Sequence, residues 1–145
     1  MLQKLNGLDY YKIKGPRSLA NDFGTDLVYP MIRDHAVSVP DALRTYSEHI
    51  ALQVKNALVD TTGGSKKLLV TGGGAFNQFL VERIRQLLYE LQIETVVPDA
   101  EVVNFKEAII MAFIGVLRWR QEVNVMSSVT GASRDSIGGA LWAGE

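Results

Sequence analysis

The chain contains no cysteine, which excludes a disulfide framework, a thiolate metal site and a cysteine nucleophile, and fits a reducing compartment. It lacks an excess of either charge as well. Fifteen Lys plus Arg stand against 16 Asp plus Glu, a formal net charge of −1, so there is no positive field to neutralise a nucleic-acid backbone. Long hydrophobic runs are missing too. The most apolar stretch, Ala108 to Leu117, falls well short of the roughly 20 residues needed to span a bilayer. Arg118 and Arg120 close it, and it reads as a buried helix. The opening Met1-Leu2-Gln3-Lys4-Leu5-Asn6-Gly7 lacks the apolar core and small-residue cleavage site of an export signal, so a cytoplasmic address away from membranes is expected. There are two histidines, His35 and His49, without a second histidine or a carboxylate at metal-ligand spacing. Both are read as structural, and no metal-ligating residue is assigned.

With 145 residues, 47% hydrophobic and 21% charged, the sequence fits one globular domain with a real core. Residues 1–40 are the least regular, broken by Gly15-Pro16, Asn21-Asp22, Gly24 and Tyr29-Pro30, and read as a segment wrapping a surface. Residues 41–145 read as an α/β core. A helix is predicted from about Asp41 to Leu58, with Leu43, Tyr46, Ile50, Val54, Ala57 and Leu58 on one stripe, ended by Thr61-Thr62-Gly63-Gly64-Ser65. Lys67 to Thr71 is a short apolar run leading into glycine, as a buried parallel strand does. Phe76, Phe79, Leu80, Ile84, Leu87, Leu88 and Leu91 then recur at helical spacing. Glu94 to Val97 gives a second strand, halted by Pro98, and a third helix is predicted from about Phe105 to Arg120. Alternating strands and helices imply crossovers and a small, mainly parallel sheet covered by helices. Trp119 and Trp142 read as core or interface.

The strongest local signal is Val70-Thr71-Gly72-Gly73-Gly74-Ala75-Phe76-Asn77, set between a predicted strand and a predicted helix. Residues without a Cβ let the main chain approach a ligand and adopt positive φ, and the helix start that follows offers free N–H groups. A nucleotide suits such a place; an ordinary tight turn explains the glycines equally well. The pattern is neither the G-x-G-x-x-G dinucleotide fingerprint nor a P-loop, because no Gly-Lys-Ser or Gly-Lys-Thr follows.

A strand-GGGA-x-N-helix segment resembles the adenosine motif of the acetate and sugar kinase, heat-shock ATPase and actin superfamily. The order of further segments narrows the resemblance. Pro16 to Phe23 comes first, then the Gly72 motif, then Lys106-Glu107-Ala108 opening an apolar helix, then Val129-Thr130-Gly131-Ala132 and Gly138-Gly139-Ala140. That series resembles the carboxy-terminal part of anhydro-N-acetylmuramic acid kinases over nearly the whole chain. It departs mildly at Arg17, Ala20 and Asp22, where the family usually has lysine, glycine and glutamate.

The resemblance implies a partial ribonuclease H-like, actin-type ATPase domain. It implies ATP with Mg2+ as co-reactants, nucleotide binding at Gly72, Gly73, Gly74 and Asn77, and sugar contact at Glu107. The implied reaction phosphorylates 1,6-anhydro-N-acetylmuramic acid with hydrolytic opening to the 6-phosphate, as in cell-wall recycling. The family's catalytic aspartate follows a Gly-Pro-rich phosphate loop that has no match here, so no catalytic residue is assigned and an amino-terminal lobe is absent from these residues. A homodimer or that missing lobe is the implied protein partner.

Two alternatives stay open. One is a carbohydrate kinase of the xylulose or glycerol type, and the other is a noncatalytic nucleotide-binding assembly module. Glu107 also has a second reading, in which Asn104 is an N-cap and Glu107 completes a capping box three positions on. Val129 to Gly139 reads as a connecting loop without chemistry.

Overall fold

The computed structural model describes residues 1–15, 18–61, 65–142 and 144. The expectations on Pro16-Arg17 and on Thr62-Gly63-Gly64 lie outside them. The chain forms two compact units, Met1–Pro98 and Asp99–Glu145.

In the first unit, residues 1–40 are more helical than their breakers suggest. They hold α1 (Leu2–Asn6), a 3-10 turn (Asp9–Lys12), a π-helical turn (Phe23–Val28) and α2 (Tyr29–Arg33). Gly7 caps the end of α1, while Pro30 sits in the first turn of α2, where its missing N–H is tolerated. The long helix α3 (Val39–Leu58) begins at Ser38, whose Oγ accepts from the Asp41 amide at 3.3 Å, and carries Pro40 in its first turn, where a missing N–H costs nothing.

Strand β1 (Lys66–Leu69) pairs in parallel with β2 (Ile93–Val96), in the register Lys66 with Ile93 through Leu69 with Val96. Beyond the strand the Val70 amide donates to the Val96 carbonyl at 2.9 Å. Parallel strands need a crossover, and α4 (Gln78–Tyr89) supplies it. The core sits between α3, α4 and the sheet: Ala51, Ile84, Leu87, Leu88 and Ile93 are buried together, with Leu52, Leu58, Leu68 and Leu80 packed round them. At about 25 cal/mol per Å² of apolar area removed from water, this cluster is the main favourable term fixing α4 behind the glycine turn. Arg83 of α4 grips Glu48 of α3 with two prongs, Nε to Oε2 at 2.5 Å and Nη2 to Oε1 at 2.8 Å. The hydrogen bond from Arg83 holds the Glu48 carboxyl below its ordinary range.

The second unit starts with α5 (Ala100–Trp119), whose N-cap is Asp99: its Oδ1 accepts from the Val102 amide at 2.9 Å. This overturns the capping-box reading, because Asn104 and Glu107 lie inside the helix, where the backbone amides already have helical partners. The apolar run of α5 is also not buried. Ile109, Met111, Phe113 and Val116 are at least half exposed, and Trp119 and Trp142, read as core or interface, are 73% and 90% exposed.

After α5, the segment read as a plain loop is tied down. Ser127 opens the single turn α6 (Ser127–Thr130), and Asp135 accepts from its amide at 2.7 Å and from its hydroxyl at 2.6 Å. Those two bonds, the hydroxyl's first, hold the Asp135 carboxyl below its usual value. Asn124 donates to the Gly138 carbonyl and accepts from the Gly138 amide at 2.7 Å, beside an antiparallel bridge between Val125 and Ser136. A Cβ at Gly138 would come within 2.8 Å of a Val125 side-chain methyl, so any other residue there forces Val125 to shift. No helix among the described residues is long and apolar enough to cross a membrane.

Candidate nucleotide-binding turn

The glycine turn stands at the carboxyl end of the parallel pair, the edge where open α/β sheets take ligands. Gly72 has φ +79° and ψ −179°, a conformation that needs the absence of a Cβ. Gly73 to Phe76 then make one 3-10 turn, in which the Ala75 amide donates to the Gly72 carbonyl at 2.9 Å and the Asn77 amide to the Gly74 carbonyl at 3.1 Å. The amides of Gly73 and Gly74 open this turn and have no acceptor within it. A Cβ built on Gly72, Gly73 or Gly74 would meet nothing within 4 Å. These glycines are therefore not there for internal packing. Only Gly72 is required by the chain's own conformation, and the backbone at Gly73 and Gly74 is open to an incoming group.

Asn77 is the N-cap of α4, its Oδ1 accepting from the Leu80 amide at 3.1 Å. That bond orients the turn relative to the helix and occupies one of the side chain's acceptor positions. Phe76 and Phe79, placed by periodicity on the helix's apolar stripe, are 55% and 53% exposed, and Phe76 belongs to the 3-10 turn. A shallow groove of about 680 Å³ runs along α4 past Gln78, Phe79, Glu82 and Arg83 and touches the turn at Ala75. Glu107 is exposed, within α5 of the second unit.

The structure thus keeps Gly72, Gly73, Gly74 and Asn77 in one turn, and holds Glu107 on a separate unit. Sequence reasoning missed Asp99 and Asp135. The first was signalled by Pro98-Asp99 ahead of a helix former; the second, which ties the loop back over eight residues, carries no local signal.

Among the described residues no three histidines or carboxylates converge to hold a metal ion. Mg2+ ordinarily binds through one or two carboxylates together with substrate phosphates.

The architecture is that of a partial actin-like ATPase domain: helices on a small parallel sheet, with a glycine turn at its carboxyl edge. More narrowly, the chain belongs to the anhydro-N-acetylmuramic acid kinase family, whose model matches residues 1–144. It is 32% identical over 146 residues to the anhydro-N-acetylmuramic acid kinase of Francisella tularensis subsp. novicida, covering 97% of this chain and 38% of that protein. The Vibrio parahaemolyticus kinase of the same name is 29% identical over 135 residues, 92% of this chain and 36% of the relative. That of Hydrogenovibrio crunogenus is 28% identical over 147 residues, 98% and 39%. The chain thus spans well under half the length of these curated relatives.

Proposed function

We propose that this chain supplies the adenine-nucleotide-binding part of a kinase that transfers phosphate from ATP to 1,6-anhydro-N-acetylmuramic acid. Hydrolysis of the anhydro bridge accompanies the transfer and gives the 6-phosphate. The observation that carries the reading is the open glycine turn at the carboxyl edge of the sheet in a chain of this family. Gly72, Gly73 and Gly74 present main chain to the nucleotide, and Asn77 holds the turn on α4. Glu107 is the sugar contact, its carboxylate accepting from substrate hydroxyls. The attacking water's base and the phosphate clamp come from the rest of the kinase. The cytoplasm is the compartment that fits a cysteine-free kinase using ATP.

The test uses a chimera in which this chain replaces the matching part of the Vibrio parahaemolyticus relative, with ATP affinity measured by calorimetry. A Cβ at Gly73 meets nothing within 4 Å, so Gly73→Val is expected to leave stability within about 1 kcal/mol while obstructing the approach of ATP, whose affinity is expected to fall by roughly tenfold or more. Gly72→Ala, by contrast, costs on the order of 1 to 3 kcal/mol of stability through its positive φ. A Gly73→Val chimera that binds ATP unchanged removes the turn from the site.

A further inference from the structure

His49 is 1% exposed on α3, and no role in nucleotide or sugar chemistry touches it. Both ring nitrogens are engaged by the amino-terminal segment. Nδ1 lies 2.6 Å from Asn6 Oδ1, and Nε2 lies 2.9 Å from the Tyr11 hydroxyl. Asn6 Oδ1 also accepts from Gln53 Nε2 at 3.0 Å. A carboxamide oxygen only accepts, so Nδ1 carries the hydrogen and Nε2 is left to accept from Tyr11. The neutral ring therefore closes a network joining α1, the 3-10 turn at Asp9–Lys12 and α3. Tyr11 passes the restraint on. Its ring lies 5.2 Å from His49 and 6.2 Å from Phe23, and Tyr10 lies 5.1 Å from Phe23, where the π turn begins.

A second proton would put a hydrogen on Nε2 and a charge into a buried site, with no carboxylate among the described residues bonded to the ring to neutralise it. The titratable groups facing the ring are Tyr11 from the 3-10 turn and Tyr46 from its own helix, stacked 6.1 Å away. The charges on the packed elements are committed elsewhere or face outward: Asp9 pairs with Lys12, Glu48 with Arg83, Lys55 with Glu90, and Lys4 is exposed. Burial alone lowers the His49 pKa from its ordinary 6.5.

We propose that His49 is a pH-sensitive latch: neutral, it fastens residues Met1–Lys12, and through Tyr11 the ring of Phe23, onto α3; protonated, it releases them. The sign follows from linkage. The closed form carries the depressed pKa and the opened form the ordinary one, so the latch is fully shut above about 6.5 and loosens as pH falls below it. This device stands independently of the kinase reading.

The experiment is amide hydrogen exchange on the 145-residue chain at pH 7.5 and pH 5, with protection factors corrected for intrinsic rates. Protection over residues 1–12 and around Phe23 is expected to fall by up to about thirtyfold at pH 5, the ratio set by an opened-state pKa of 6.5, while α4 amides stay protected. His49→Gln keeps one donor and one acceptor without titrating, so its protection is expected to be the same at both pH values. Unchanged protection in the natural chain, or an equal fall in His49→Gln, overturns the latch. If the variant does not fold, the nitrogen-15 shifts of the His49 ring decide. Titration near 6.5 with the segment still protected overturns the proposal, and titration in step with loss of protection upholds it.

Discussion

Glu107 carries one role fewer than its sequence position suggests. With α5 starting at Asp99, its carboxylate caps nothing and stands exposed inside the helix. Glu107→Gln is therefore expected to leave thermal unfolding within about 0.5 kcal/mol of the natural chain, as surface substitutions away from special features do. On the proposed reading, the same change in a full-length chimera is expected to remove an ion-assisted hydrogen bond to sugar and to lower kcat/KM by roughly ten- to hundredfold, with ATP affinity unchanged. A chimera with unaltered kcat/KM toward the anhydro sugar ends the assignment. Residue identity made the glycine turn readable, since consecutive glycines tolerate the positive φ of a strand-to-helix turn and the Asn that follows can cap the helix. It did not make His49 readable. Nothing local in its sequence says that Asn6 and Tyr11 come back to meet its two nitrogens.

Elements were legible where periodicity was strong and less so at their starts. The stripe of α4 predicted its helix because Leu80, Ile84, Leu87 and Leu88 pack into the core beside α3. Of the stripe read on α3, by contrast, only Val54 and Leu58 join that core; its buried positions are His49 and Ala51, and Leu43 is 63% exposed. The pair β1 and β2 was legible from two short apolar runs bounded by Gly72 and Pro98. For α5 the apolar run beginning at Phe105 drew the start too late. The helix is set by Asp99 and runs through Glu101 and Asn104, polar residues that a hydrophobic stripe does not mark. The two starts give different outcomes. Asp99→Ala is expected to cost about 1 kcal/mol and lower the helical signal of the second unit, because the Val102 amide loses its acceptor. Asn104→Ala, inside the helix, is expected to cost nothing or to stabilise slightly, since alanine is the better helix former. Denaturant melts of the two variants decide; equal losses would return the cap to Asn104.

For the whole molecule, composition predicted a packed core and the alternation of strands and helices an α/β fold, but neither said which apolar surfaces the chain itself covers. Hydrophobicity says that a side chain prefers burial, not which polypeptide provides it, and Phe105, Phe113 and Trp119 are all more than 60% exposed. The relatives are longer than the matched segment by more than half their own length, so most of their sequence lies outside these residues. On the proposed reading the chain holds binding groups for nucleotide and sugar but neither the activating carboxylate nor the phosphate clamp. Groups that bind substrate and transition state alike lower no barrier; the rate comes from donors and a base aimed at charge that develops during transfer. The pure 145-residue chain is accordingly expected to show no ATP-dependent phosphorylation of the anhydro sugar in a coupled assay. Adding the remaining part of the Vibrio parahaemolyticus relative, made separately, should restore turnover, and Glu107→Gln in this chain should lower what is restored. Phosphorylation by the pure chain at a rate the addition does not raise would mean that the base lies within these residues, and the division of labour proposed here would fall.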